Sequence, residues 1–274
     1  MKTKHLVSAA AVVAAVGIIL FFADRPPMER SELPEAPPGP VTMVSWNVRG
    51  YPERSEEATD WLHRQIDSLG PHILCIQEIA NDQRVEAFID RDGKLQNKAF
   101  LNSSDGQDNA ILTLRSVELE DIVDPDGFQH PAQAAYLSCH GLDVVVVTVH
   151  LSWSDVEKRE MEKQLLKQVV EAMLEKDPDL IIAGDFNTKE EGIQALADTL
   201  GLLVMVPPGQ NGVGTTHAGN RYDHFLVSPD LAEEEAMASQ IVLWEGTDQT
   251  MAEVVSDHVP ILTRFRTDSH FRDR

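Results

Sequence analysis

The sequence predicts an α/β layered domain with mixed β-sheets, and three observations carry that expectation. Strand and helix patterns interleave from Val41 to Phe265, strands outnumber long helices, and several neighbouring strands have no helix between them. Parallel neighbours need a crossover of helix length, so strands joined by short connections pair antiparallel and the sheets are mixed.

Taken in order, the chain opens with an apolar segment. Met1-Lys2-Thr3-Lys4-His5 precedes a run from Leu6 to Phe22 whose one polar residue is Ser8. At about 17 residues it sits at the short end of what spans a bilayer. A positive start before an apolar stretch also describes a secretory signal. Phe21 is bulky where a cleavage site wants a small residue, so residues 1–23 read as an uncleaved anchor helix. Lys2 and Lys4 then stay cytoplasmic, which puts the rest of the chain on the extracytoplasmic side; cleavage would make it a secreted protein. Residues 24–40 hold six prolines and several charges and read as an extended linker.

The folded domain is expected over residues 41–268, with a tail over 269–274. Val41–Val48 reads as a strand. Residues 55–69 read as a helix, with Ala58, Trp61, Leu62, Ile66 and Leu69 on one face. Ile73–Ile79 is a strand, followed by a helix start near Asn81. Ile111–Leu114, Ala132–Cys139 and Asp143–Leu151 are further strands. Residues 155–176 carry the clearest helix pattern. Ser154 and Glu157 form a capping box there, and Met161, Leu165, Val169 and Met173 recur every fourth residue. Leu180–Ala183 is a short, fully apolar strand. Residues 189–200 read as a helix, and Tyr222–Val227, Gln240–Leu243 and Val259–Phe265 as strands.

The net charge is -22. Acidic and basic residues cancel within residues 1–40, so the whole imbalance lies in 41–274. A protein held on nucleic acid by phosphate neutralisation alone would be basic. A polyanion would therefore have to meet a local basic patch or bound cations. The two cysteines, Cys75 and Cys139, lie in apolar strand-like runs and lack metal-type spacing, so buried free thiols are expected.

The informative pattern is a set of polar side chains at strand ends. Asn47 closes the first strand and Glu78 falls at the end of the second. His150 ends the run from Val144. Asp185 and Asn187 follow Leu180–Ala183. Asp223 and the pair Asp257-His258 open two later strands. A charged group at the edge of a buried strand is costly unless it is paired or bound to metal. Asn, Glu and Asp oxygens are hard ligands that suit Mg²⁺, Mn²⁺ or Ca²⁺. Imidazoles beside them can donate to a phosphate that gains charge in its transition state. Each residue alone has a plainer explanation. Asn47 fits a turn into Gly50, Glu78 a helix cap, His150 a core histidine, and Gly184–Asn187 a tight turn. Asp223 fits a strand edge and Asp257-His258 a surface pair. The set as a whole favours metal-assisted hydrolysis of a phosphate ester.

The ordered blocks Ser45-Trp46-Asn47, Gln77-Glu78, Asn109–Leu112, Thr148–Leu151, Gly184–Asn187, Tyr222–His224 and Ser256–His258 resemble those of the endonuclease/exonuclease/phosphatase superfamily. The resemblance covers residues 41–268, and Gly-Asp-Phe-Asn followed by Ser-Asp-His is its most specific part. It implies a four-layer sandwich of two packed mixed sheets flanked by helices. It implies Glu78 as the principal Mg²⁺ ligand, with Asn47 and Asp257 close to the metal. Asp185 resembles the carboxylate that orients or deprotonates water, and Asn187 a partner of the phosphate or the metal site. His258 resembles the histidine over the phosphate, Asp223 the carboxylate that orients it, and His150 the second histidine. Members differ on whether His258 or Asp185 is the base, so that choice stays open. Two departures stand out. Abasic-site endonucleases carry Asn where this chain has His150, and deoxyribonuclease-like members carry Arg near the position of His130. The expectation is a phosphodiesterase with nuclease-like substrates, tethered to a membrane, monomeric and without a protein partner. A phospholipid, sphingomyelin or inositol-phosphate hydrolase is the enzyme alternative, and a tethered interaction domain without turnover the other.

Overall fold

A computed structural model describes residues 39–51, 55–100, 106–123, 127–139, 141–205, 212–234, 236 and 239–267. The anchor expected over 1–23, most of the 24–40 linker and the 269–274 tail lie outside the described residues. Among the described residues no helix is long and apolar enough to cross a membrane.

The domain opens with β1 (Val41–Tyr51), α1 (Glu56–Leu69), β2 (Ile73–Ile79) and α2 (Asp82–Asp92). Five strands follow: β3 (Leu95–Phe100), β4 (Asp108–Leu114), β5 (Glu118–Val123), β6 (Gln133–Cys139) and β7 (Leu142–His150). The second half runs α3 (Val156–Leu174), β8 (Leu180–Asp185), α4 (Glu190–Leu200), β9 (Leu203–Val204) and β10 (Asp223–Val227). It closes with α5 (Pro229–Glu234), β11 (Gln240–Ile241), α6 (Thr247–Val255) and β12 (Ile261–Phe265).

These strands make two six-stranded sheets, ordered β11-β12-β1-β2-β4-β3 and β5-β6-β7-β8-β10-β9. Each sheet has one parallel pair, β1 with β2 and β7 with β8. These pairs are the ones joined by long helices, α1 and α3, as a parallel crossover requires. Residues of both sheets share one apolar cluster, including Met43, Cys75, Val146, Ala183 and Phe225. The outer face of the first sheet packs on α1, α2 and α6. The outer face of the second packs on α3 and α4. The order helix, sheet, sheet, helix is the four-layer sandwich that the resemblance implies. Cys75 and Cys139 are free and buried. Burial pushes both thiols up, Cys139 to about 12, so neither is a reactive thiolate.

Side-chain alternation explains where the polar residues go. On β1, Val41 and Met43 face the other sheet, and Ser45 and Asn47 continue that face. On β2, Ile73 and Cys75 lead to Gln77. On β7, Val144 and Val146 lead to Thr148 and His150. On β8, Ile181 and Ala183 lead to Asp185. β10 runs antiparallel to β8, and there Asp223 precedes Phe225 and Val227. Each of these five inner faces thus changes from apolar to polar toward the same end of the sandwich.

Two expectations about α3 change, and the strand expected over Gln240–Leu243 shortens to Gln240–Ile241. The cap of α3 is Asp155, not Ser154: the Asp155 carboxylate accepts the Lys158 N–H at 2.9 Å, and the helix starts one residue later than a Ser154 cap requires. The buried stripe of α3 is also rotated from the one read from Met161 and Leu165. It runs Glu162, Leu166, Val169, Val170 and Met173, while Met161 is exposed. A glutamate can occupy that stripe because its carboxylate is fully used. Oε1 accepts the Gln129 N–H at 2.8 Å and Oε2 the Ser152 N–H at 2.7 Å.

Candidate active site

The strand register brings the polar ends into contact. Asn47 pairs with Gln77, His150 with Asp185, and Asp223 with Asp185. Gly184 permits this close approach. Its φ is +145°, and a Cβ there would lie 2.0 Å from the Val149 carbonyl oxygen. Three non-glycine residues with positive φ, Arg49, Glu78 and Asn187, also sit here. Strained backbone of this kind clusters at functional sites.

Asn47 lies at the floor. Its Nδ2 donates to Glu78 Oε1 at 2.9 Å and to Asp185 Oδ2 at 3.2 Å, while its Oδ1 accepts the Arg49 N–H at 2.9 Å. Ser256 Oγ donates to the Asn47 carbonyl at 2.7 Å, tying β1 to the segment before β12. Asp185 Oδ1 accepts the Asn187 N–H at 2.8 Å, and Asn187 Nδ2 donates to the Leu151 carbonyl at 2.9 Å. Asp223 Oδ2 lies 2.8 Å from His258 Nδ1, which turns Nε2 of that ring toward Asp185 Oδ2 at 3.5 Å. His150 Nε2 stands 3.8 Å from both Glu78 Oε1 and Asp185 Oδ2. The His130 ring stacks behind His150 at 4.4 Å. Asp257 is more than half exposed, with Arg49 Nε 3.6 Å away.

The open side is a cleft of about 470 Å³ lined by Glu78, His150, Asp185, Asn187, Asp257 and His258, among others. Asn47 and Asp223 lie beneath it through the hydrogen bonds above. All eight residues singled out in the sequence therefore meet at one end of the sandwich.

Electrostatics set the protonation of this group. Burial raises Glu78, Asp185 and Asp223 above the ordinary carboxylate range, and the neighbouring His258 opposes that rise. Burial works against a charge on His258, but Asp223 and Asp185 outweigh it and lift it to about 10. His258 is therefore an imidazolium at neutral pH.

A sequence profile of the Endonuclease/Exonuclease/phosphatase family matches residues 44–258. The chain belongs to that family. As a family member it is an enzyme, a metal-dependent hydrolase of phosphoric esters. No curated protein sequence matches the chain. Solved structures share its fold. Truncated Caenorhabditis elegans TDP2 is 21% identical with a TM-score of 0.64, covering 83% of this chain and 98% of that one. D. rerio TDP2, complexed with single strand DNA product, is 19% identical with a TM-score of 0.66, covering 83% and 99%. The human Nocturnin catalytic domain with bound sulfate anion is 20% identical with a TM-score of 0.62, covering 82% and 94%.

The donor chemistry suits the divalent ion that the family uses. Glu78 and Asp185 turn carboxylate oxygens to one amide, and hard oxygens so grouped select hard divalent cations. Asp185, Asp223 and His258 also have ligand atoms within 4.8 Å of one another. The same trio forms a chain of contacts, with Asp223 on Nδ1 of His258 and Nε2 of that ring facing Asp185. Asn47 offers N–H to the carboxylates, so an oxygen contact to a cation requires its amide to turn over.

Sequence reasoning missed the supports. Gln77 Nε2 donates to Thr148 Oγ1 at 2.9 Å and to Ser45 Oγ at 3.2 Å, joining the two sheets under the site. Trp46 Nε1 donates to the His258 carbonyl at 3.1 Å. Glu162 holds the backbone next to His130 and His150. A carboxylate on the apolar stripe of α3 was the available signal for Glu162.

Proposed function

We propose that the chain is a Mg²⁺-dependent phosphodiesterase acting on nucleic-acid-like substrates, with Mn²⁺ or Ca²⁺ as possible substitutes. The observation that supports it best is the meeting of Glu78, Asp185 and Asn47 with His150 and the Asp223–His258 pair in one open cleft. Glu78 would hold the cation, with Asn47 and Asp257 beside it. A cation bound there would offset charge on the phosphate and polarise the attacking water.

The chain's own residues do the rest. Asp223 fixes the His258 ring so that Nε2–H donates to a phosphoryl oxygen. Because His258 is already protonated, Asp185 is the better acceptor for the water proton. Asn187 anchors the Asp185 carboxylate through its backbone N–H and helps to shape the phosphate pocket. His150 adds a second donor as charge develops. TDP2 from D. rerio, in complex with single strand DNA product, is a fold relative consistent with a nucleic-acid substrate.

The apolar segment Leu6–Phe22 favours a second reading, hydrolysis of a phospholipid or inositol phosphate. A panel of single-stranded DNA, RNA, phospholipid and inositol phosphate, each with Mg²⁺, separates the two. Cleavage of the oligonucleotides alone supports the first reading. Release from the lipid or inositol substrate alone overturns it. The same segment leads us to place the chain at a membrane, with its catalytic domain extracytoplasmic. The full-length chain should fractionate with membranes. Recovery in the soluble fraction with Met1 still present would contradict the anchor.

A further inference from the structure

We propose that Trp153 is a specificity-determining platform that stacks on a planar ring of the substrate, a nucleobase beside the scissile phosphate. The proposal rests on the phosphodiesterase reading and narrows its substrate class. Trp153 lines the same cleft as His150, Asp185 and His258, yet the residue is 66% exposed. An indole left so open contributes little to the core, yet the backbone that carries it is held in place. Asn187 Nδ2 donates to the Leu151 carbonyl, and the Leu151 N–H donates to the Asp185 carbonyl. The buried Glu162 accepts the Ser152 N–H. Arg159 Nη1 donates to the Ser152 carbonyl at 2.7 Å and to the Trp153 carbonyl at 3.2 Å. The turn that presents the ring is thus fixed to the catalytic strand and to α3, so little ordering is needed when a ligand binds.

Charge adds a second reason. At a net charge of -22 the protein as a whole does not attract a polyanion. Stacking supplies affinity without cations and tolerates any base.

The test compares the full chain with Trp153→Ala and Trp153→Phe on two oligomers of equal length. One is single-stranded DNA, and the other has the same sugar-phosphate backbone without bases. The expected result for Trp153→Ala is a KM about tenfold higher on the base-bearing oligomer, with kcat changed less than about twofold. Trp153→Phe should restore most of the loss, and the abasic oligomer should not respond. Equal effects on both oligomers, or none on DNA, would overturn the platform. If the wild type cleaves neither oligomer, the reading of DNA as a substrate fails on its own. Fluorescence anisotropy of the labelled oligomers then decides the platform. A wild-type preference for bases that Trp153→Ala removes supports it, and equal binding overturns it. Trp153-dependent attachment to phosphatidylglycerol vesicles, with no discrimination between oligomers, would assign the ring to a lipid surface and also overturn it.

Discussion

Asp185 is the residue on which the site's contacts converge. It touches Asn47 and the Asn187 backbone, and both His150 and His258 face it. Asp185→Asn removes the charge and keeps the shape. Turnover should fall ~100-fold or more with the fold intact, measured as kcat beside an unchanged circular dichroism spectrum. A second prediction concerns stability. His63 is buried against Tyr51 and Phe88, and burial lowers it from 6.5 to about 4. Between those values the unfolded chain holds a proton that the folded chain does not, so this histidine's stability contribution is present above pH 6.5 and is lost as pH falls toward 4. The raised carboxylates pull the other way, so a difference isolates the effect. His63→Gln should lose less stability than the wild type between pH 7 and pH 5 in urea titrations. An equal loss in both would contradict the assignment.

At the scale of elements, the close pairing of β7 and β8 is the most demanding feature. Gly184→Ala puts a methyl group against the Val149 carbonyl at a φ that side chains avoid. Destabilisation of at least about 3 kcal/mol is expected, read from the denaturation midpoint. A variant as stable as the wild type would show that the strands can part. The central strands were legible in the sequence because they are apolar on both faces, as β2 and β8 are. β3 and β5 were not. They are edge strands, and Gln96, Asn97 and Lys98 or Glu118 and Glu120 dilute any apolar signal. β9 has two residues and no periodicity to read. The Asn81 cap was visible as a helix start, whereas α6 begins behind Gly246 without a side-chain cap.

For the whole molecule, the site exists because polar strand ends from two sheets meet at one end of the sandwich. The sequence showed which residues end strands. It could not show that His258 reaches Asp223 across 35 positions, or that Gln77 bridges the sheets to Thr148 across 71. Those contacts depend on how the sheets stack. The resemblance to a known family supplied that stacking, and the alternation along each strand accounts for it physically. The most direct test of a metal-dependent phosphodiesterase is hydrolysis of bis-p-nitrophenyl phosphate by the full chain, first in EDTA and then across a Mg²⁺ titration, with Glu78→Gln in parallel. EDTA should abolish turnover and Mg²⁺ should restore it, with the Glu78→Gln curve displaced to higher Mg²⁺. Full turnover in EDTA, or a Glu78→Gln curve superimposed on that of the wild type, would contradict it.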